Sequence, residues 1–360
     1  MEKILIYAMS ENMGGVEEYV LNLSRFNFEK KATYEYVILG KKTPYREEME
    51  KLGVKIHYIP QKSELKKNIC ELRNLLKRER QECDIIYFNT SSLCYPVPYI
   101  LAKKYNYKIV LHSHLTGADG IRRYVHLFNR WWINKICYKR LACSTPAAIW
   151  MFGNEDNVTI IPNAIQIERF KYLSEKRCEL RKQLKFDEET IVVGHVGRLS
   201  AVKNQSFLLR LISEGKKECI NMKLLLVGDG EDEKKLRQEA RELGIEDRTI
   251  FYGKTKEPEK LMNCMDCFVM PSFVEGFPIT LVEAQANGLP CLVSDVITKE
   301  TNITGHVWYK SINRPINEWL NIIEEIAGKR YNGTQILNDK GYNVEKLEAM
   351  VRNTIINSDL

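Results

Sequence analysis

The sequence has no long apolar segment, no internal repeat and no low-complexity stretch. None of its apolar runs reaches the roughly 18 residues that cross a membrane, and Met1–Lys3 lead directly into a short predicted strand. We therefore expect neither a transmembrane helix nor a signal peptide. These absences predict a globular protein of the cytoplasm.

Motifs for metal ions and disulfides are equally scarce, although the chain has ten cysteines. Cys264 and Cys267 have the spacing of a redox or zinc pair, but no second CxxC and no neighbouring histidine completes a site. The sequence also has no DxD pair. Since several cysteines stand in apolar runs, we predict reduced thiols in the core and neither a metal ion nor a cofactor.

The charge balance is only mildly basic. The chain has 54 lysines and arginines against 47 acidic residues, a net charge of +7 spread along its length. This excess suits an anionic small molecule or an anionic lipid surface. It gives no reason to expect nucleic acid as a partner.

Strand and helix patterns alternate, and 360 residues are enough for two domains. One series ends near Pro162-Asn163-Ala164, and a second begins after a charged stretch that reaches Glu189. The prediction is an α/β protein with two doubly wound parallel sheets, in residues 1–165 and 166–340, and a ligand cleft between them. The predicted strands are Lys3–Ala8, Tyr34–Leu39, Lys55–Ile59, Asp84–Asn89, Lys108–His112, Arg140–Cys143, Val158–Ile161, Thr190–Val196, Lys223–Val227, Thr249–Tyr252, Cys267–Met270 and Cys291–Ser294. Beyond Ser294 only two or three helices are predicted.

Two carboxylates form the most informative motif. Glu275 begins the run Glu-Gly-Phe-Pro-Ile-Thr-Leu-Val-Glu, which ends at Glu283 and follows the apolar segment Cys267–Met270. Glu275 is therefore predicted at the carboxyl end of a strand, where doubly wound sheets bind ligands, and Glu283 in a helix from about Thr280 to Gly288. The pair suits two hydroxyl-rich groups of one ligand. Solvated loop and helix acids are the alternative.

Phosphate-binding signals precede that pair. Gly14-Gly15 joins the first strand to a helix, although the three-glycine dinucleotide fingerprint is absent. Arg198 and Lys203 lie in the first strand-to-helix turn of the second domain, where two cations suit a diphosphate. A surface arginine and a lysine at a helix start are the alternative. Val227-Gly-Asp-Gly230 opens another helix, and its glycines permit close backbone approach to a ribose or phosphate.

Two histidines end a strand of the first domain. His112 and His114 stand in Leu111-His-Ser-His-Leu-Thr116, which is predicted to reach the cleft. A histidine there can transfer a proton or hydrogen-bond a reacting sugar. For each of them alone, a structural imidazole is the alternative.

Residues 121–140 are predicted to form a basic helix with two tryptophans. Its apolar face gathers Ile121, Val125, Phe128, Trp132 and Ile136, and its basic residues Arg122, Arg123 and Arg130 lie roughly opposite. Such a helix is typical of proteins that lie on anionic lipid. A helix packed on the sheet with a solvated face is the alternative.

Together these motifs resemble the retaining glycosyltransferase family 4, whose GT-B fold has two Rossmann-like domains facing across a cleft. The motifs that carry the resemblance are the acidic pair, Gly197-Arg198 with Lys203-Asn204, Val227–Gly230, Phe251–Gly253, Gly14-Gly15 and His114. Position 115 is leucine here, where the family often has a small polar residue. The resemblance therefore leaves open whether His112 or His114 is the active histidine.

The resemblance implies a role for each matched residue. Arg198 and Lys203 would hold the donor diphosphate, Glu275 the hydroxyls of the transferred sugar and Glu283 the ribose. His114 would contact the sugar. The implied donor-binding residues are Gly14, Gly15, Arg198, Lys203, Gly228, Lys254, Glu275, Gly276, Phe277, Pro278, Ile279 and Glu283, and the implied catalytic residues are His114, Arg198, Lys203 and Glu275. Residues 1–165 would bind the acceptor, and a helix in 341–360 would return to that domain.

The implied activity is retaining, metal-independent transfer of a sugar from a nucleotide-diphosphate sugar, most simply a UDP-sugar. The acceptor would be a hydroxyl of a glycan or a lipid-linked chain. The segment Ser294–Glu300 and the Leu-His-Ser-His run are similar to bacterial capsule and exopolysaccharide transferases, which implies peripheral attachment to the inner face of the membrane. A nucleotide-sugar epimerase of GT-B fold and a non-catalytic sugar-nucleotide-binding subunit are the alternatives.

Overall fold

The computed structural model describes residues 2–11, 15–114, 117 and 120–356. Its strands and helices alternate along the chain. The strands are β1 (Glu2–Ser10), β2 (Ala32–Leu39), β3 (Lys55–Ile59), β4 (Ile85–Thr90), β5 (Lys108–Ser113), β6 (Cys137–Ala142), β7 (Val158–Ile160), β8 (Ile191–Val196), β9 (Met222–Val227), β10 (Thr249–Gly253), β11 (Cys267–Met270), β12 (Cys291–Ser294) and β13 (Val307–Lys310). The helices are α1 (Gly15–Arg25), α2 (Arg46–Lys51), α3 (Leu65–Glu79), α4 (Val97–Lys104), α5 (Ile121–Ile136), α6 (Thr145–Phe152), α7 (Ser174–Gln183), α8 (Gln205–Lys217), α9 (Glu233–Glu242), α10 (Pro258–Met262), α11 (Ile279–Ala286), α12 (Ile316–Ile326), α13 (Gly333–Asp339) and α14 (Leu347–Ile356).

The chain divides into two compact units, each built on one parallel sheet. The first unit is Met1–Ala164 with Val344–Leu360, and the second is Ile165–Asn343. The strand orders are β3-β2-β1-β4-β5-β6-β7 and β10-β9-β8-β11-β12-β13. In both sheets the order reverses between the first and fourth strands of the series, which is the doubly wound arrangement. The predicted α/β class with two doubly wound parallel sheets is confirmed.

The core of the first unit includes the helix at the end of the chain. Ile4 and Ile6 of β1 are fully buried, as expected for a central strand covered on both faces. Val351 and Ile355 of α14 belong to the same apolar cluster. The Tyr34 hydroxyl donates a 2.7 Å hydrogen bond to Glu348 Oε1, which fixes α14 against β2.

The second unit has a strand that the sequence did not predict. Only helices were expected beyond Ser294, but β13 pairs with β12 at the edge of the sheet. The expectation was wrong because an edge strand pairs on one side only and therefore needs no continuous apolar run. Behind it, Trp319 and Ile323 of α12 are fully buried against the sheet.

The basic helix is shorter than predicted. α5 ends at Ile136, and the next six residues form β6 instead of continuing the helix to residue 140. The backbone turns to an extended conformation at Cys137, and β6 pairs with β5 from Ile109 onward. Sheet pairing therefore overrides the helical pattern of this segment.

Buried cysteines behave as predicted. Cys264 and Cys267 are both fully buried, and burial raises the pKa of the Cys264 thiol to about 12. Their interpretation as core residues is confirmed. Within the described ranges, no helix combines the length and hydropathy needed to cross a bilayer.

Candidate active site

The predicted cation and acid of the second unit meet at the point where its strand order reverses. β8 and β11 are neighbours there, and their carboxyl ends carry Lys203 and Glu275. The Lys203 ammonium lies 2.6 Å from Glu275 Oε1, and the Ser272 hydroxyl donates to the same oxygen at 2.8 Å. Both ionised side chains are largely enclosed, with 23% and 10% of their surfaces exposed.

Two polar residues after Lys203 hold its loop in place. Asn204 adopts a left-handed backbone conformation (φ +56°), and its side-chain amide donates to the Pro271 carbonyl at 3.0 Å. Asparagine tolerates this conformation better than most residues. The buried Gln205 amide donates to the Arg198 carbonyl at 2.8 Å, and its oxygen accepts from the Ser200 N–H at 3.3 Å. The 198–203 turn is therefore fixed by side chains of the following helix.

His195 lies beneath that turn and was not predicted as part of the site. Its Nδ1 donates to the Val269 carbonyl at 2.9 Å, and its Nε2 lies 3.3 Å from the Gln205 amide nitrogen. Burial lowers the pKa of His195 to about 4, so the ring stays neutral and accepts from Gln205. The only sequence signal was a polar residue inside the apolar strand Ile191–Val196.

Gly228 was predicted to contact the ligand, but it also has a role in packing. A Cβ at this position would lie 2.0 Å from the Gly197 carbonyl oxygen, and φ is +138°. The Gly228 N–H donates to the Gly253 carbonyl at 2.9 Å. Glycine is thus required because the turns after β8, β9 and β10 touch here, whatever else binds to them.

The run after Glu275 leads into a helix start with open backbone donors. Pro278 caps α11 in an extended conformation without a side-chain hydrogen bond. Within the described part of the chain, the N–H groups of Gly276, Phe277 and Ile279 have no protein acceptor. A helix N-terminus with free N–H groups favours oxygen-rich and anionic ligands. Glu283 lies half-buried in the second turn of the same helix.

The other two basic site residues are more exposed. Arg198 has 72% of its side chain exposed, and its Nε donates to Glu231 Oε2 at 2.9 Å. Lys254 follows β10 and is also exposed. The structure therefore brings Lys203 to the acid, whereas Arg198 is paired with a carboxylate of the β9–α9 turn.

The histidine motif of the first unit lies at the carboxyl ends of β4 and β5. His112 and His114 are both buried, with ring centroids 4.2 Å apart. His112 Nδ1 lies 2.6 Å from the Tyr87 hydroxyl, and His114 Nε2 lies 2.8 Å from Asn89 Oδ1. Gly15 is the exposed first residue of α1, and Gly14 lies outside the described residues.

Burial keeps both rings neutral. It lowers the pKa of His114 to about 3, against the opposing effect of a hydrogen bond to Asn163, and it lowers the pKa of His112 well below 6.5. A ring that stays neutral at physiological pH can hydrogen-bond a ligand but is a poor proton carrier. Which of the two histidines is active stays open.

We expect His114 to make unfolding sensitive to acid. The unfolded chain, whose histidines titrate near 6.5, takes up the proton before the folded state does. The contribution of neutral His114 to the free energy of unfolding is therefore fully present above pH 6.5 and is lost as the pH falls toward the pKa of the folded state. Chemical denaturation should show a loss of about 2 kcal/mol from this residue between about pH 7 and about pH 5. His114→Gln should flatten the pH dependence by that amount, and parallel curves for the two proteins would contradict it.

One buried cluster has the composition of a metal site. The ligand atoms of Glu35, His57 and Glu79 lie within 4.8 Å of one another. The Lys3 ammonium, however, lies 2.7 Å from Glu35 and 3.2 Å from Glu79, and Lys55 also pairs with both. Despite burial, these cations and Arg78 lower the pKa of Glu79 to about 2. The cluster is therefore a compensated ion network, and the absence of a metal ion from the reaction stays a prediction.

Two family models match the chain. The model described as Glycosyl transferases group 1 matches residues 176–306, which include Arg198, Lys203, Glu275 and Glu283. The model described as Glycosyltransferase Family 4 matches residues 13–169, which include Gly14, Gly15 and His114.

One of the individual relatives covers nearly the whole chain. The Bacillus subtilis protein named "Putative glycosyltransferase EpsF" is 30% identical over 362 residues, which span 96% of this chain and 94% of EpsF. The Escherichia coli UDP-Gal:alpha-D-GlcNAc-diphosphoundecaprenol alpha-1,3-galactosyltransferase is 27% identical over 254 residues, 64% of this chain and 62% of its own. The crystal structure of Anabaena HepE with UDP has a TM-score of 0.82 at 19% identity, over 98% of this chain and 99% of HepE, which is a likeness of fold.

Proposed function

Since the chain belongs to the glycosyltransferases described by the group 1 and family 4 models, we propose that it moves a sugar from a UDP-sugar to a hydroxyl of a glycan or lipid-linked acceptor. In this proposal the anomeric configuration is retained and no metal ion takes part. The observation that carries it is the contact between Lys203 and Glu275 at the point where the second sheet reverses its order.

The donor would replace that contact with two better matched ones. A diphosphate offers Lys203 more negative charge than one carboxylate, and sugar hydroxyls can donate to the Glu275 oxygens. The free N–H groups of Gly276, Phe277 and Ile279 would then donate hydrogen bonds to the sugar oxygens. We assign Glu283 to the ribose, and Arg198 to the diphosphate after release from Glu231.

The transfer step needs a positive group that stabilises the departing diphosphate more than it needs a nucleophile of the enzyme. The bond from the anomeric carbon to the diphosphate oxygen breaks, and the acceptor oxygen bonds to that carbon from the same face. The acceptor proton passes to the departing phosphate oxygen, so the products are a nucleoside diphosphate and the extended acceptor. Lys203 would stabilise the negative charge that develops on the leaving group.

The relatives support the choice of donor and acceptor. The E. coli relative is named for UDP-galactose and a diphosphoundecaprenol-linked acceptor, and HepE was crystallised with UDP and with UDP-glucose. For the first unit we retain the role that the resemblance implies, in which neutral His114 hydrogen-bonds a hydroxyl of the transferred sugar. A lipid-linked acceptor would bring the enzyme to the cytoplasmic face of the membrane.

The donor can be identified by slow hydrolysis. We expect one UDP-sugar of a panel of nucleotide sugars to release UDP without an acceptor, and faster with membrane extracts that supply one. Free epimerised donor as the product would instead indicate an epimerase. Tight donor binding without any hydrolysis, even with acceptor extracts, would indicate a non-catalytic subunit. Either result would overturn the proposal.

A further inference from the structure

Helix α5 packs on the first unit with its polar side and exposes its apolar side. Five large apolar residues along one face are 40% to 78% exposed: Ile121, Tyr124, Val125, Phe128 and Trp131. Their spacing places them on one stripe of the helix. Trp132 and Ile136, which were predicted on this face, are half-buried at its border. The helix is packed and leaves one face to solvent, as the alternative expects, but the solvated face includes the apolar stripe.

Polar bonds anchor the buried side of α5, where Ile133 is the fully buried apolar residue. His126 Nδ1 accepts from the Leu93 N–H and its Nε2 donates to the Trp150 carbonyl, both at 3.0 Å, while its ring stacks on Trp150 at 3.9 Å. Asn129 donates to the Leu93 carbonyl at 2.8 Å, and Asn134 to the Phe152 carbonyl at 2.9 Å. These bonds hold the helix firmly without using its apolar face, which stays available to a partner.

The charged residues of α5 and of the segment that follows it are all basic. From Gly120 to Asn154 the sequence has no acidic residue and six basic ones, Arg122, Arg123, Arg130, Lys135, Lys139 and Arg140. None of the six forms an ion pair with a carboxylate in the described part of the chain. The Lys135 ammonium instead lies 3.8 Å from the centre of the Trp131 ring. Unpaired cations beside an exposed apolar stripe favour an anionic, apolar partner.

We infer that α5 docks the first unit on an anionic lipid bilayer, with its exposed apolar stripe among the acyl chains and its basic residues at the headgroups. Trp131 and Tyr124 are amphipathic rings of the kind that gather at membrane interfaces. A second copy of the chain fits this face less well, because a symmetric contact would bring the like charges of two helices together. The inference rests on the proposed function and extends it: α5 would be the surface by which the enzyme docks on the membrane that contains a lipid-linked acceptor.

Vesicle co-sedimentation of the full chain tests the charge requirement without any sugar nucleotide. We expect binding to vesicles of phosphatidylglycerol and phosphatidylethanolamine that weakens with added salt, and none to phosphatidylcholine alone. Arg122→Gln with Arg123→Gln should weaken binding about 30-fold. The matched control is Lys103→Gln with Lys104→Gln, which removes the same charge from exposed positions of α4 in the same unit and should bind as the unmodified chain does.

A second pair of variants tests insertion of the apolar stripe. Phe128→Ser should weaken vesicle binding at least about tenfold. Phe28→Ser removes an equally exposed phenylalanine of the first unit, 68% against 74%, and should have no effect. Trp131 is the most exposed tryptophan, and brominated lipid should quench its emission in the bound state.

Three outcomes would overturn the inference: no binding to anionic vesicles, equal loss in the charge variant and its control, or a dimer in solution that Phe128→Ser dissolves while vesicles are not bound. Hydrolysis of the UDP-sugar should be unchanged in all four variants. Loss of docking with intact hydrolysis would leave the transferase proposal standing, and docking without hydrolysis would leave this inference standing.

Discussion

Glu275→Gln should reduce transfer at least about 100-fold while UDP binds as tightly as before. Glutamine keeps the shape of the side chain and can still accept from the Ser272 hydroxyl, which lies 2.8 Å from Glu275 Oε1. It loses the negative charge that binds the sugar hydroxyls. Lys203, freed from its 2.6 Å ion pair, remains available to the diphosphate. We therefore expect a lower kcat and weaker sugar recognition in assays with donor and acceptor. The Kd of UDP, measured by calorimetry, should be unchanged.

The matched control is Glu318→Gln in the same unit. Glu318 accepts from Arg314 at 2.9 Å and is also paired with Lys310, so its substitution removes an ion pair far along the chain from the site. We expect unchanged turnover in this control. Turnover that survives Glu275→Gln, or a weakened UDP complex with normal turnover, would show that Glu275 has only a structural role.

The pairing at the centre of the site could be foreseen from the sequence in outline. Lys203 and Glu275 are 72 positions apart, but both follow predicted strands, and the carboxyl ends of neighbouring parallel strands meet at one edge. The α/β class was predictable because strand and helix patterns alternate along the sequence. The GT-B fold expected from the resemblance is confirmed. Motif spacing gives the edge of the sheet on which a residue lies.

The partner of each side chain was not predictable in the same way. Arg198 lies in the predicted turn, yet its guanidinium pairs with Glu231, a choice that depends on the shape of the β9–α9 turn. His195 and Gln205 support the turn, and the buried hydrogen bond between them forms only when the chain has folded. Sequence spacing contains no information about such contacts.

Helix α5 shows a further limit of periodicity. The sequence pattern identifies an apolar stripe but not the surface that covers it. Here His126 and Asn129 find backbone partners on neighbouring segments, so the polar side of the helix turns inward. The sequence left open whether the stripe packs on the protein or faces outward, and the buried hydrogen bonds of His126 and Asn129 show that it faces outward.

Lys203→Ala should weaken UDP binding roughly 30-fold and lower kcat/KM for the donor further. A charge-assisted hydrogen bond to phosphate contributes about 1.5–3 kcal/mol, and the charge on the leaving group grows in the transition state. Lys203→Arg should restore part of the UDP affinity, because the charge returns with a different geometry. Lys217→Ala, which removes an exposed lysine paired with Glu214 at 2.8 Å, is the control and should leave both quantities unchanged.

The double variant Lys203→Ala with Glu275→Gln separates a donor site from a structural ion pair. If the pair only supported the fold, removing both charges would restore the activity that each single change had cost. We expect the opposite: the double variant should bind UDP as weakly as Lys203→Ala and turn over no faster than Glu275→Gln. The two residues would then act on different parts of the donor, the lysine on its diphosphate and the acid on its sugar. Recovery of turnover in the double variant would contradict this division.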